Sequence, residues 1–379
     1  MHRVSSVALL AAVAVFAGGC AHRAAVPPPA PPPIYATPTV VTPHEDEPPR
    51  AMFERAHQLL VEGKGAEAAP LFDKLAALDA SDEVTQLAHF NSGVAWEVAG
   101  DRPAALARFR AVAVRFPNLE VGLLGSLRAS RLEAYLEQWS QLSATADQLL
   151  ARPNLSSIHR LEALGAKALA VVEGGDPDGA ERFISKGRDI IEEMRLGEGG
   201  KVPFEVAQIY FALGEVRKLR SEAITFTPLP ANFTVALEQR CQGLLDAQSA
   251  YSDAMRSYDA HWAAMSGFRV GELYQKLHQE VTAIAPPKSA TTTEKKQLFE
   301  GAMTLRYRIL LEKGLTMMAH TVRLGDRTGE ASAWVDRARA AKRAIEQALE
   351  QAKAKLSKLP YSEKDLQKAL DDLAAKSRP

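Results

Sequence analysis

Small and aromatic residues recur at matched positions in two stretches of the sequence that lie 37 residues apart. The clearer stretch, residues 86–117, carries Gly93-x-x-Trp96, Gly100, Ala105-x-x-x-Phe109 and Pro117. The matching positions of the earlier stretch are Ala56, Leu59, Gly63, Ala68, Phe72 and Ala80. A unit of this kind predicts two antiparallel helices that cross at small residues, pack with aromatic ones, turn at a glycine and end at a proline.

This pattern resembles the tetratricopeptide repeat, a helix–turn–helix unit of about 34 residues. His89 and Ser92 stand where that family has its first tryptophan and its leucine. The resemblance implies an α-α solenoid, because one helical hairpin cannot bury its own apolar stripe and stacked neighbours supply the core. We expect residues 51–224 to form a right-handed solenoid of about five hairpins, some of them imperfect.

A third copy of the pattern follows at an offset of 36 residues, with Ala129, Leu132 and Pro153 in place. Gln141 and Thr145 stand where an alanine and a phenylalanine belong, which predicts a degenerate hairpin. The fourth copy shows Gly165-x-x-Ala168 and Ala180-x-x-x-Ile184. Its spacing predicts about three extra residues in the turn at 174–177.

Later parts of the chain keep the helical character but lose the repeat. A fifth copy begins at Ala207-x-x-Tyr210 with Gly214, and the prolines within 225–230 cut its second helix short. Residues 231–285 predict one or two long amphipathic helices, interrupted near Ser266-Gly267, and Gly271-x-x-Tyr274 indicates a sixth, diverged unit.

The region 294–379 predicts helices only. Residues 294–324 and 331–358 have the periodicity of long helices, and no part of this region resembles a known family. A last helix is expected to begin near Ser362, with Asp365 completing a capping box and three leucines on one face. These leucines are Leu366, Leu370 and Leu373.

Composition supports an all-α protein. Ala, Leu, Glu, Arg, Lys and Gln dominate, and apolar residues beyond residue 50 almost never alternate with period two. The 46 basic and 46 acidic residues balance without a long run of either sign, so a nucleic-acid partner is not expected.

Residues 1–20 have the layout of a secretory signal that ends on a cysteine. Arg3 precedes an apolar stretch over 4–16, and small residues lead to Cys20. This resembles the lipobox of bacterial lipoproteins, although Ala17 replaces the usual leucine. The resemblance implies that 1–19 are removed, that Cys20 is lipidated, and that Ala21 directs the protein to the outer membrane, facing the periplasm. The alternative is an ordinary cleaved signal and a periplasmic protein with Cys20 incidental.

Residues 20–50 are too rich in proline and too poor in apolar surface to pack, as PPPAPPP at 27–33 illustrates. We interpret them as a tether that extends roughly 60–90 Å at about 3.1 Å per residue.

The sequence offers no pattern for catalysis. It contains no His-Glu-x-x-His, Gly-x-Ser-x-Gly or Gly-x-Gly-x-x-Gly motif, and Cys241 lies inside a predicted helix, where a buried and unreactive thiol is expected. We therefore expect no enzyme activity, metal, cofactor or small-molecule substrate.

The repeat resemblance implies a protein-binding groove formed by the first helix of each hairpin. The candidate groove residues are Phe53, His57, Leu60, Phe90, Asn91, Val94 and Glu97. Phe53 and His57 replace the lysine and asparagine with which the family clamps a terminal carboxylate, so an apolar partner segment is favoured. The alternative is that these residues pack against neighbouring repeats or the N-terminal tether.

A lipid anchor, a tether and degenerate repeats together resemble the repeat-containing outer-membrane lipoproteins that serve envelope assembly, type IV pilus assembly and gliding motility. Residues 240–251 and 267–274 are most similar to the gliding members. We expect a scaffold that binds other envelope proteins. A cell-wall hydrolase with a single glutamate in a cleft and a passive structural spacer remain the alternatives.

Overall fold

The computed structural model describes residues 48–78, 83–200, 202–288 and 290–376, with backbone only from 370 onward. Within these ranges every regular element is a helix and none is a strand, which confirms the predicted all-α class. The described residues fall into two compact units, 48–196 and 197–376.

The first unit consists of four consecutive helical hairpins. Each helix packs against the next one in the chain, and the first helix of each hairpin also contacts the first helix of the following hairpin. The helices are α1 Pro49–Val61, α2 Gly65–Ala76, α3 Glu83–Val98, α4 Arg102–Arg115, α5 Glu120–Tyr135, α6 Trp139–Leu150, α7 Ser157–Glu173 and α8 Pro177–Glu193.

All four hairpins use the same turn. Its central residue has a φ of 57–89° and is Gly63, Gly100, Glu137 or Gly175, at spacings of 37, 37 and 38 residues. In the first turn the N–H of Gly63 donates to Leu60 O at 3.0 Å and the N–H of Lys64 donates to Leu59 O at 2.9 Å. The other three turns repeat both bonds, which together form a Schellman motif. The identical turn defines the repeat register from the backbone alone.

This register corrects the predicted third copy. Counted from Glu137, the positions equivalent to Ala105 and Phe109 are Leu142 and Ala146, and both are fully buried. Gln141, which the offset of 36 residues had placed in the core, is exposed. The third hairpin is therefore regular, and the predicted degeneracy is wrong because the alignment was one residue out.

The fourth hairpin also has an ordinary turn. Helix α7 ends at Glu173 and α8 begins at Pro177, so the turn is as short as the other three and the predicted extra residues are wrong. Counted back from Gly175, the position equivalent to Gly93 is Ala168, not Gly165. The turn residues Glu137 and Gly175 are 38 residues apart, one more than the other spacings. The additional residue lies within α7, which has 17 residues where α5 has 16.

The predicted crossing of the second hairpin is confirmed. A Cβ atom on Gly93 would lie 2.7 Å from Cε1 of Phe109, and Ala105 is fully buried beside it. Because real Cβ contacts are longer, only glycine lets α3 approach the Phe109 ring this closely. Gly100 lies in the turn, and α4 ends at Arg115.

Polar contacts link successive hairpins at equivalent positions. The residue ten positions after the turn residue on α2, α4 and α6 is charged, and its side chain bonds to the first helix of the next hairpin. The pairs are Asp73 with Trp96 at 3.1 Å, Arg110 with Glu133 at 2.8 Å and Asp147 with Lys167 at 2.6 Å. These contacts hold each hairpin in register with the next.

Asp73 has the densest of these networks. Its carboxylate accepts hydrogen bonds from Arg108 at 2.8 and 2.9 Å, from Trp96 and from the Ser92 hydroxyl. Burial alone raises the pKa of Asp73, but these hydrogen bonds outweigh it and hold the pKa below its ordinary value. The charged form therefore stabilises the fold above the unfolded-state pKa of about 3.9, and this stability is lost as the pH falls through the folded-state pKa.

We expect Asp73→Asn to lower the free energy of unfolding by about 1–3 kcal/mol at pH 7, because it removes the charge from this network. The deficit relative to the unsubstituted protein should shrink as the pH falls below about 4 and through the lowered folded-state pKa, where the carboxylate itself becomes protonated. Urea titrations over a series of pH values measure both effects. A deficit that stays constant down to pH 2 would contradict the assignment.

The second unit begins with a 3₁₀ turn at Phe204–Val206 and continues with six helices. They are α9 Ala207–Glu222, α10 Phe233–Met255, α11 Ala260–Thr282, α12 Thr293–Thr328, α13 Ala333–Ser357 and α14 Glu363–Lys376. Successive helices from α9 to α13 pack in pairs, and α14 packs against α12. The predicted long helices at 294–324 and 331–358 are confirmed as α12 and α13.

Two expectations for this unit are corrected. Ser266 and Gly267 are buried inside α11, and the break lies at 256–259, between α10 and α11. In the fifth copy Gly214 matches the turn residue Gly100 of the second, but it does not form a turn. It lies inside α9, where a Cβ atom would come within 2.5 Å of Cε1 of Tyr251, so this contact with α10 repeats the crossing of the second hairpin.

The predicted cap of the last helix is confirmed. Asp365 accepts a hydrogen bond from the backbone N–H of Ser362 at 2.9 Å, and the Ser362 hydroxyl accepts one from the N–H of Asp365 at 3.2 Å. Leu366 is buried against α12, close to Gly301. The side chains of Leu370 and Leu373 lie outside the described residues.

Candidate functional site: a cleft on the first unit

Five of the seven predicted groove residues are buried in the core of the first unit. Phe53, Asn91 and Val94 are fully inaccessible, and Leu60 and Phe90 are almost so. The ring of Phe53 meets that of Phe72 edge-on at 5.5 Å, and the ring of Phe90 lies 5.3 Å from that of Phe109. These five residues therefore pack against neighbouring helices, which is the alternative to an open groove that the sequence allowed.

The other two predicted groove residues, His57 and Glu97, are half-buried. Burial lowers the pKa of His57. Glu97 on α3 pairs with Arg128 on α5 at 3.4 Å, and Arg131 on α5 makes a bidentate pair with Glu162 on α7. These ion pairs join the first helices of successive hairpins side by side.

An open cleft instead lies between α6, α7 and α8. Its volume is about 420 Å³. It is lined by the apolar residues Leu150, Leu164, Phe183 and Ile190 and by the charged residues Arg160, Lys186 and Asp189.

Helix geometry places these side chains together. Phe183, Lys186 and Ile190 have the i, i+3, i+7 spacing of a single helix face on α8. Arg160 and Leu164 lie one turn apart on α7, and Leu150 is the last residue of α6. Both helices begin two residues after their turn residue, and α8 has 17 residues where α6 has 12, so α8 extends farther from its turn than α6 does.

The equivalent groove of the first two hairpins is closed by an ion pair. There Asp73 on α2 binds Arg108 on α4. Eight residues after its turn residue, α8 carries Phe183 where α4 carries Arg108. Asp147, the equivalent of Asp73, pairs with Lys167 of α7 instead. An aromatic ring thus replaces the ion pair, and the groove stays open.

The cleft carries an excess of positive charge. Among the described residues, Arg160 and Lys186 have no ion-pair partner, and Asp189 is the only acidic residue in the lining. The Phe183 ring is half-buried, with Lys167 Nζ 6.0 Å from its centroid. An apolar floor with a charged rim is the arrangement with which proteins hold a peptide segment.

Sequence reasoning missed this cleft. The available signal was Phe183 itself, a large aromatic residue at a position that is Arg108 in the second hairpin and Thr145 in the third. The lengths of α6 and α8, which leave the space open, had no comparable signal.

In the part of the chain that the structure describes, no group of three or more histidine, cysteine, aspartate or glutamate side chains is placed to hold a metal ion. Burial raises the pKa of Cys241, which keeps its thiol protonated, as expected for an unreactive cysteine.

None of the described helices has the length and apolar character that crossing a bilayer requires. Cys20 and the tether as far as residue 47 lie outside the described residues, as does Ala80. The predicted end of the tether at residue 50 is corrected, because Pro49 and Arg50 already belong to α1.

Comparison with known proteins gives similarity in structure but none in sequence. No family model matches the sequence, and no curated protein matches it. A solved tetratricopeptide repeat protein from Parabacteroides merdae is similar over 80% of this chain and 98% of its own, with 12% sequence identity and a TM-score of 0.42.

Proposed function

We propose that this chain is a protein-binding scaffold that holds a segment of a partner protein in the cleft between α6, α7 and α8. The observation that carries the proposal is the open apolar surface around Phe183, at a position where the corresponding groove of the first hairpins is closed by an ion pair. Aromatic anchors in such surfaces supply much of the binding energy, and truncating one typically costs about 2 kcal/mol or more.

A site-specific crosslinker tests this proposal. With a photoreactive residue in place of Asp189, the full chain in intact cells should form a discrete adduct, and the added change Phe183→Ala should reduce its yield at least about tenfold. Arg188 is exposed on a different face of α8, so the same photoreactive residue there is the matched control. Equal adducts from both positions, or a yield that Phe183→Ala leaves unchanged, would refute cleft binding.

We further propose that the scaffold works in the bacterial envelope, tethered to the outer membrane through a lipid on Cys20. The support is the signal-like layout of residues 1–20 and the proline-rich segment after it. Gliding motility, pilus assembly and outer-membrane assembly are the machines that use scaffolds of this plan, and partners would be other envelope proteins.

The anchor makes a direct prediction. Cys20→Ser should abolish incorporation of labelled fatty acid and move the protein from the membrane fraction to the soluble fraction, because acyl chains contribute about 0.8 kcal/mol per buried methylene. Cys241→Ser is the matched control and should leave both readouts unchanged. Retention of the Cys20→Ser protein in membranes would argue for attachment through another route.

A further inference from the structure

We infer that the partner segment carries an acidic side chain close to a large apolar one. This inference rests on the proposed function and names the chemistry of its ligand. The apolar side chain would lie on the floor formed by Leu164, Phe183 and Ile190, and the carboxylate would lie between Arg160 and Lys186.

Five basic side chains of the first unit pair with carboxylates of a neighbouring helix. The pairs are Arg108 with Asp73, Arg110 with Glu133, Arg128 with Glu97, Arg131 with Glu162 and Lys167 with Asp147. Arg160 and Lys186 are the cations of the cleft, and neither has such a partner within the described residues. A carboxylate from a partner would balance the excess of positive charge in the cleft.

The apolar floor of the cleft accounts for the second feature of the partner segment, its large apolar side chain. Leu164 is 5% exposed, while Phe183 and Ile190 are half-buried and face the same space. A volume of about 420 Å³ lies within the range of sites that enclose a small ligand or side chains of a peptide. A strongly hydrated segment without an apolar residue would leave this surface uncovered.

The carboxylate is assigned to an aspartate or glutamate side chain rather than to a chain terminus. A terminal carboxylate is captured either by free backbone N–H groups arranged as a nest or, in the repeat family that this sequence resembles, by lysine and asparagine side chains together. The lining of the cleft contains no asparagine. All seven lining residues lie inside helices, where the N–H of Arg160, for example, already donates to Ser156 O at 2.8 Å. The cleft therefore offers only side-chain cations, which a side chain of a passing segment can reach.

Selection from two random nonapeptide libraries tests the inference on the full chain. One library is displayed inside a loop of a carrier protein and the other at a free C-terminus. Internal peptides that combine Asp or Glu with Leu, Ile or Phe should be enriched. Arg160→Gln with Lys186→Gln should weaken a selected peptide about three- to tenfold in fluorescence anisotropy. Lys74→Gln with Arg188→Gln removes the same charge from exposed sites outside the cleft and should have no effect.

The outcomes separate the inference from the proposed function. Enrichment of apolar internal peptides without acidic residues would overturn the inference and leave cleft binding intact. Enrichment confined to the C-terminal library would overturn the assignment to a side chain. Identical selections from the unsubstituted chain and from Phe183→Ala would overturn the proposed function as well. Circular dichroism of each variant establishes that it is folded.

Discussion

Truncation of Phe109 to alanine will lower the free energy of unfolding by about 3–5 kcal/mol. The ring is fully buried, contacts Phe90 and fills the space that Gly93 leaves on α3. No other side chain can occupy that space without moving a helix, so a cavity remains. Urea denaturation gives the total loss, and hydrogen exchange should locate it in residues 48–196.

The contact with Gly93 supplies an internal control. Gly93→Ala alone should destabilise the protein by about 1–3 kcal/mol, because the new Cβ would lie 2.7 Å from the Phe109 ring. In the Phe109→Ala background the same change should cost little or even stabilise, because the ring is gone and alanine favours the helix. Additive effects of the two substitutions would mean that the crossing is not built on this contact.

In the second unit, Trp334→Ala should cost a similar 3–5 kcal/mol, since truncating a buried tryptophan removes a large apolar surface. Trp334 is 2% exposed, and its ring lies 5.6 Å from that of Phe268. The guanidinium groups of Arg269 and Arg337 lie 4.9 and 4.4 Å from the ring, so the side chain joins α13 to α11.

Trp334→Phe should cost less than about 1.5 kcal/mol, because it keeps an aromatic ring between the same neighbours. Thermal unfolding with hydrogen exchange in residues 197–376 measures both variants. A loss confined to α13, with α9 to α12 still protected, would show that Trp334 holds only the end of this unit. Equal losses for alanine and phenylalanine would contradict the stacking explanation.

The predicted alignment of the repeats was correct for the first two hairpins and wrong for the third and fourth. Gly63 and Gly100 stand at positive φ, and the alignment of the first two hairpins was correct. Glu137 adopts the same conformation at φ 57°, where non-glycine residues are uncommon. Nothing in its side chain indicates that conformation, so the third copy was aligned one residue out.

The site was harder to predict than the fold because exposure depends on neighbours that a single helix does not reveal. Phe90 and Val94 occupy positions that the repeat resemblance assigns to a groove, yet α3 is covered by α1, α2, α4 and α5 and both residues are buried. Periodicity gave the helices and their pairing. It did not give the relative lengths of α6 and α8.

That difference in length makes the cleft adjustable independently of the core. Helix α8 exceeds α6 by five residues, an overhang of about 7 Å, or more than one helical turn. A helix terminus can gain or lose a turn without disturbing the crossing contacts farther along it, so insertions after Leu150 would narrow the site stepwise while the buried pairs stay in place. In a protein built from repeats, a change in helix length at such a terminus would alter the size of the binding site, and therefore its specificity, without a change in the residues that line it.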